Sequence, residues 1–398
     1  MYNIFITGEW KGVEEKIMAF YLAFKEVWRN KGRFFLFSLV IALITLLVLF
    51  IAALATGLST SNKQYLSNLD SQLLVFQENS ELQITSSRLS QSKVNQVRRV
   101  EGVADQGLIG TSLATIVFAD GREPQDIALL GVEPGKPGEP AAIEGRGLRS
   151  KRADEVVIDR LIAKQAGVAL GDTIIIKSVQ GTEEEYFDLR VVGITTEQRY
   201  FFQPSVFVPL YTWDAIKPQA ALAGDTPLAG NIIAVKLNNP EDIIPMQQRL
   251  SALVDDVEVA DIPTVIEVLP GYSAQQSTLN TQQGFTFLIG VLVLGGFFQI
   301  QTLQKVGQIG MLKAIGAPNR TVAIATLLQI VIVTIFGVAL GVLAVLGFSL
   351  GLPAGIPIIF TGQSIIIAIA ALLVIGPLGG LVSIRLALRV EPLTALGL

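Results

Sequence analysis

Four long apolar runs divide this chain, and the polar residues fall between them in very unequal amounts. The first run, residues 34–58, is about 25 residues long, enough to cross a hydrocarbon core about 30 Å thick with some tilt. The other three follow at 284–303, 322–348 and 364–386. From residue 284 onward the charged side chains are Lys305, Lys313, Arg320, Arg385, Arg389 and Glu391. They gather between the second and third runs and around the end of the fourth, so the middle of every run is uncharged. A charge at mid-bilayer costs roughly 2.5–3.5 kcal/mol on insertion scales, so this pattern predicts four membrane spans. It also argues against a proton or ion relay built into the spans.

Residues 59–283 have a different pattern: short alternating or apolar segments punctuated by turn residues. Strands are expected at 72–77, 113–118, 125–131, 155–158, 173–177, 189–194, 206–209, 232–237 and 257–260. Asp120-Gly121 is a hairpin signal between two of them. Ser90 can cap a helix running to Val100, with Val94, Val97 and Val100 on one face. Further helices are expected at 159–165 and 241–253, with Gly167 and Gly171 as punctuation. The Pro/Gly-rich stretch 133–140 reads as a surface loop or a seam, and Glu183, Glu184 and Glu185 as a solvated turn. The expected fold is an α-helical membrane protein with four transmembrane helices, plus an α+β extracytoplasmic domain inserted between helices 1 and 2.

Charge orients these pieces. Lys25, Arg29, Lys31 and Arg33 precede the first run, which places the N-terminus inside under the positive-inside rule. Segments 1–33, 304–321 and 387–398 are then cytoplasmic, and 349–363 is a short outer loop. Counting Arg385 at the inner end of the last run, the inside segments hold eleven Lys/Arg against five Asp/Glu. The domain 59–283 holds nineteen against twenty-nine. Residues 18–31 have helical patterning, with Phe20, Phe24 and Val27 or Trp28 on one face, and suit an amphipathic helix in the inner interface. Residues 1–17 have weak patterning, which makes Met18 an alternative start. No short apolar core with a small-residue cleavage site marks a secretory signal.

The chain has no cysteine and no histidine. That removes disulfides, thiol metal sites, the commonest metal ligand and the usual general base, so no Ser-His-Asp triad or His-x-Glu metal site can form. There is no Gly-x-x-x-x-Gly-Lys-Ser/Thr either, and Gly135-Lys136-Pro137 is only a turn. A nucleic-acid partner is not expected.

The sharpest motif is the inner link from Leu303 to Arg320. Ile309, Leu312 and Ile315, with Met311, can form the apolar face of a short helix that Gly316 ends and Pro318 prevents from continuing. Such a knob suits a cytoplasmic partner; equally, it suits an interfacial turn that only orients two spans.

Ile309-Gly-Met-Leu-Lys-Ala-Ile-Gly-Ala317 resembles the coupling segment of the FtsX/MacB-like permeases, the four-span subunits of type VII ABC transporters. Three other segments resemble them in the same order: Leu22-Ala-Phe-Lys-Glu-Val-Trp-Arg-Asn-Lys31, Asp154-Glu-Val-Val-Ile158 with Ala166-Gly-Val-Ala-Leu-Gly-Asp-Thr173, and Arg389-Val-Glu-Pro-Leu-Thr-Ala-Leu396. The match covers essentially the whole chain after Met18. Within this family the chain is most similar to haem-efflux permeases of the HrtB type, through Thr302–Gly310, Gly57–Leu66 and Pro270–Gln276.

The resemblance implies a bacterial plasma-membrane homodimer, its first and second spans facing each other, with two ABC ATPase subunits that bind ATP and Mg. It implies no catalysis by this chain. Lys305, Gln308, Ile309, Met311, Leu312, Lys313, Ala314, Ile315 and Gly316 would form the ATPase-coupling surface. Gln308 replaces a Glu that many members carry, which shifts the contact toward Lys305, Lys313 and shape.

Haem would be cargo rather than cofactor. Tyr65 and Tyr272 are then the candidate iron ligands, since Tyr can ligate haem; the ordinary alternative is an interfacial aromatic anchor. Gln275 (beside Gln276, where related exporters carry an acid), Phe297 and Phe298 complete the candidate cargo site, with Phe285 a further apolar position. Gly290, Gly295, Gly296, Gly337 and Gly341 allow close approach of spans. Two other functions use the same architecture: transmembrane signalling to cell-wall hydrolases and lipoprotein release.

Overall fold

The computed structural model of the protein describes residues 25, 28, 29, 31–118, 121–218, 228–351 and 358–389. The expected amphipathic helix 18–31, Asp120 of the hairpin signal, the middle of the 349–363 link and the closing Val390–Leu396 motif lie wholly or mostly outside the described residues. The chain divides into two compact units, one of residues 58–276 and one of residues 1–57 with 277–398.

Four helices are long and apolar enough to cross a membrane: Lys31–Ser67, Tyr272–Leu303, Asn319–Ser349 and Ile365–Arg389, the last within a helix that begins at Gly362. The first continues past residue 58 to Ser67, and the second begins at Tyr272 rather than near 284. A helix satisfies its backbone groups internally in water as in lipid, so an apolar run marks where lipid is tolerated, not where the helix ends.

Glycines set the closest approaches in the helical unit. A Cβ on Gly337 would stand 2.6 Å from the Ile41 Cβ and 2.9 Å from the Ser38 carbonyl oxygen. Gly341 meets Thr45 and Ala42 in the same way. The third helix therefore lies against the first through a Gly-x-x-x-Gly face, which gives that spacing a packing role within one chain. The second and fourth helices meet at Gly295 and Gly379, where a Cβ on Gly295 would be 3.0 Å from the Gly379 oxygen. Gly376 and Gly380 of the fourth helix press on Thr334 and Ile330 of the third.

The inserted domain is built on one eleven-stranded mixed sheet. Its strands in chain order begin with β1 (Leu73–Gln77), then β2 (Leu89–Ser90), β3 (Val103–Val117), β4 (Gln125–Val132), β5 (Ala142–Gly145) and β6 (Glu155–Asp159). They continue with β7 (Thr173–Gln180), β8 (Glu183–Thr195), β9 (Arg199–Tyr200), β10 (Gln203–Pro209), β11 (Ala229–Gly230), β12 (Ile232–Leu237) and β13 (Val257–Asp261). The main path runs β13-β1-β12-β3-β4-β10-β6-β8-β5, with β7 against β3 and β8, and β9 against β10; β2 and β11 pair separately.

Both faces of the sheet are covered. Leu73 and Val75 of β1 belong to one core, and Leu74 and Phe76 to the other. This explains why β1 reads Leu-Leu-Val-Phe without alternation.

Several elements differ from expectation, two of them in how they pack. Glu183, Glu184 and Glu185 are not in a turn but start β8, where they pair with Gln180, Val179 and Ser178 of β7. The side chains stay exposed, so the strand is edge-like and tolerates the charge. A helix at Leu210–Ile216, absent from the sequence reading, buries Leu210, Trp213 and Ile216. Trp213 lies over the backbones of Gly110 and Gly131, where a Cβ on Gly131 would be 2.5 Å from the Trp213 Cβ. Its indole Nε1 donates to Ser112 Oγ at 3.0 Å.

Candidate functional site

The link between the second and third long helices forms a short helix, Val306–Ala314. It ends as its residues dictate. Gly316 takes a φ of +100°, Gly316 N donates to Lys313 O at 3.0 Å, and Ala317 N reaches back to Leu312 O at 3.0 Å. This pairing of a 6→1 with a 5→2 hydrogen bond around a left-handed residue is a Schellman stop. Pro318 then caps the third long helix, which starts at Asn319.

The expected apolar face is split. Met311 is 56 % exposed and Ile315 83 % exposed, so both project away from the bundle. Ile309 and Leu312 instead help line a cavity of about 90 Å³ between this helix and the third. Gln301 Nε2 and Thr321 Oγ1, both buried with no partner among the described residues, border the same cavity, which has room for a few waters.

The cations are engaged within the unit. Lys313 Nζ donates to the Leu388 carbonyl at 2.8 Å, near the end of the fourth helix. Lys305 Nζ donates to Gln329 Oε1 at 3.2 Å and stands 5.2 Å from the Phe34 ring centre. Gln308, Ala314 and Gly316 are exposed. The outward surface of the segment is therefore Met311, Ile315, part of Leu312 and small or polar neighbours, with the lysines tying it to the bundle.

The expected cargo residues are divided between the two units, Phe297 and Phe298 in the helical one and Tyr65, Tyr272 and Gln275 in the inserted one. Phe298 is buried in the helical unit, its carbonyl accepting from Ser383 Oγ at 2.9 Å. Phe297 makes an edge-to-face contact with Phe37, ring centres 4.2 Å apart. Both rings pack between helices of one chain, whereas Phe285 is exposed.

Tyr65 is a core residue of the inserted domain, neither an accessible ligand nor an interfacial anchor. It is 2 % exposed, its hydroxyl donates to Gly138 O at 2.9 Å, and its ring packs on Phe207 and Tyr200. Tyr272 is half-buried; its hydroxyl accepts from Lys63 Nζ at 3.1 Å and lies 3.3 Å from Ser59 Oγ. Gln275 is half-buried on the next turn.

Beside Tyr65 the domain has a cleft of about 620 Å³. Ion pairs Lys136–Asp105 at 2.7 Å and Lys236–Asp70 at 2.5 Å stand in its walls.

Asp159 ties the neighbouring elements together. It is fully buried and caps the helix Arg160–Ala166, with Oδ1 accepting from Leu161 N at 2.7 Å and Oδ2 from Gln198 N at 2.7 Å. Burial pushes its carboxyl up to about 6, although the two N–H donors pull the other way. Burial likewise pushes the Tyr200 phenol up to about 12. Gln198–Gln203 carries no element expected from sequence, although Phe201-Phe202 between two strands is a visible apolar pair.

Residues 34–253 match the MacB-like periplasmic core domain, and residues 284–392 match the FtsX-like permease C-terminal region. The chain is similar to the "Putative hemin transport system permease protein HrtB" of Staphylococcus haemolyticus, 26 % identical over 376 residues, 94 % of this chain and 99 % of the relative. It is also similar to an uncharacterized ABC transporter permease of Mycobacterium bovis, 23 % identical over 316 residues, 78 % of this chain and 80 % of the relative. Among solved structures, the extracellular domain of the noncanonic ABC-type transporter YknZ from Gram-positive bacteria aligns at 15 % identity and a TM-score of 0.35. That alignment covers 48 % of this chain and 99 % of the domain.

Proposed function

Because the chain belongs to the MacB-like periplasmic core domain family and is an ABC permease of FtsX/MacB type, we propose that it is the membrane subunit of an ATP-driven exporter of haem or another amphipathic, membrane-partitioning compound. The observation that carries the coupling half of this reading is the Schellman-ended helix Val306–Ala314 with Met311 and Ile315 turned outward. A rigid apolar knob between two spans can seat in a groove of an ATPase and pass its movement to both spans. The chain has no P-loop of its own. Two ATPase subunits would therefore bind ATP and Mg against a homodimer of this chain, with both termini cytoplasmic and the inserted domain outside. The cargo half rests on the likeness to relatives named for hemin transport.

The test uses the full chain purified together with its ATPase from the native membrane in lipid nanodiscs, titrated with hemin and followed by absorbance and ATP hydrolysis. The expected result is a saturable Soret shift and faster hydrolysis. Stimulation should be lost in Ile315→Asp while the shift is kept. Non-saturating partition of hemin would move the cargo to another amphiphile. Stimulation that survives Ile315→Asp would remove the coupling role of this helix.

A further inference from the structure

We propose that the cavity between the helix Val306–Ala314 and the third long helix is a binding site for a phosphate group. Among the described residues that line it, Lys305 is the one ionisable side chain, and no carboxylate accompanies it. Two more lining residues carry a polar atom with no partner among the described residues, Gln301 through Nε2 and Thr321 through Oγ1. These residues are only 6 % and 1 % exposed. The other buried hydroxyls of the wall are engaged: Thr302 and Ser383 bond to each other, and Ser383 Oγ donates to the Phe298 carbonyl at 2.9 Å. A buried donor without an acceptor forfeits the hydration it has in the unfolded chain. Two such groups on one cavity, beside a cation and without an acid, select an occupant rich in acceptor oxygens.

The helices bring these groups to facing walls. Gln301 and Lys305 lie about one turn apart where the second long helix ends, and Thr321, Ala325 and Gln329 follow one face of the third. Lys305 Nζ donates to Gln329 Oε1 at 3.2 Å, which joins the two walls. An ammonium has three donors, so it can serve Gln329 and a ligand oxygen together. The first turn of the third helix borders the cavity through Thr321 and Val322, and the positive end of a 31-residue helix favours an anion there.

Size and position fit the same ligand. A cavity of about 90 Å³ that admits a few waters also admits one tetrahedral phosphate. Gln308 and Leu312 line it and are exposed, so it opens beside the helix Val306–Ala314. Lys305 stands just past the apolar run 284–303, and Thr321 just before the run 322–348. At that level a span leaves hydrocarbon and meets the phosphate layer, where basic pockets between spans hold lipid head groups. Phosphate free in solution presents the same oxygens.

The test reads the thermal midpoint of the full chain in an uncharged detergent that contains no phosphate. One arm exchanges chloride for inorganic phosphate at constant pH and ionic strength. The other adds phosphatidylglycerol, compared with diacylglycerol, in phosphate-free buffer. A saturable rise in midpoint is expected in at least one arm, and it should be lost in Lys305→Met and in Gln301→Met; the arm that shows it identifies the source of the phosphate.

Gln301→Met puts an apolar side chain of similar size where the unpartnered amide stood. Without phosphate its midpoint should equal or exceed that of the wild type, which separates lost binding from lost folding. A midpoint lowered in that condition overturns the proposal, because the amide then serves the fold itself. A rise that survives both substitutions overturns it as a general effect of salt or lipid on the chain. No rise in either arm overturns it in favour of a cavity that holds water only.

Discussion

Gly341 and Thr45 are in contact across the third and first long helices: a Cβ on Gly341 would stand 2.5 Å from the Thr45 Cβ. Thr45 is fully buried and turns its hydroxyl back to the Ile41 carbonyl at 2.8 Å, so its methyl group faces the glycine. The helices meet where one side chain has been reduced to hydrogen and the other has hidden its polar atom.

Gly341→Leu should therefore force the first and third helices apart. Overpacking of this kind costs about 1–3 kcal/mol, and a lower thermal midpoint of the detergent-purified chain is the expected readout. Gly347→Ala, on the same helix with nothing within 4 Å of its Cβ position, should leave the midpoint unchanged. Equal effects of both variants would count against the close approach.

Asp159 makes the stability of the inserted domain depend on pH. Its carboxyl is raised from 3.8 to about 6 by burial, so the native state holds a proton that the unfolded chain has already lost. Stability from this group is fully present below about pH 4, falls by about 3 kcal/mol as pH rises to about 6, and is flat above that. Unfolding followed by Trp213 fluorescence between pH 4 and 7 should show the decline, and Asp159→Asn should flatten it. A stability that rises across this window in the wild type and falls flat in the variant would reverse the sign.

Tyr65→Phe removes a buried hydrogen bond to Gly138 O and leaves that carbonyl without its donor. A loss of about 1 kcal/mol of domain stability is expected, with hemin binding unchanged. Tyr272→Phe, with its hydroxyl at the Ser59–Lys63 level, is the variant able to alter a hemin spectrum. A Soret change lost only in Tyr65→Phe would mean that the core opens to admit cargo.

Gly316→Val should disturb the end of the helix Val306–Ala314 more than Pro318→Ala. A φ of +100° suits glycine, and a β-branched residue there costs on the order of 1 kcal/mol or more. Pro318 has ordinary extended angles, φ −67° and ψ 150°, that alanine can adopt. Hydrolysis of ATP by an ATPase purified with this permease should fall in the first variant and change little in the second; the reverse order would place the stop signal at Pro318.

Ile315→Asp should leave the thermal midpoint unchanged, because the side chain is 83 % exposed, while an ATPase that co-purifies with the wild type is lost. Lys313→Glu should lower both, since the lysine holds the Leu388 carbonyl. A midpoint unchanged in Lys313→Glu would show that this tie is unimportant.

The four spans, the inserted α+β domain and the helix stop at Gly316 were legible in the sequence because each follows from local chemistry. Uncharged runs have one favourable solvent, alternating segments have one pleat, and a glycine before a proline ends a helix whatever surrounds it. Helix length was not legible: residues 59–67 and 272–283 are polar yet helical, because helix geometry is indifferent to the solvent outside it. The roles of single residues depended on contacts between segments far apart in sequence. Tyr65 belongs to the core because Gly138, Tyr200 and Phe207 close around it. Ile309 is half-buried because the third helix lies beside it. Periodicity fixes which face a residue occupies on its own element, but the element that faces it is set by the fold.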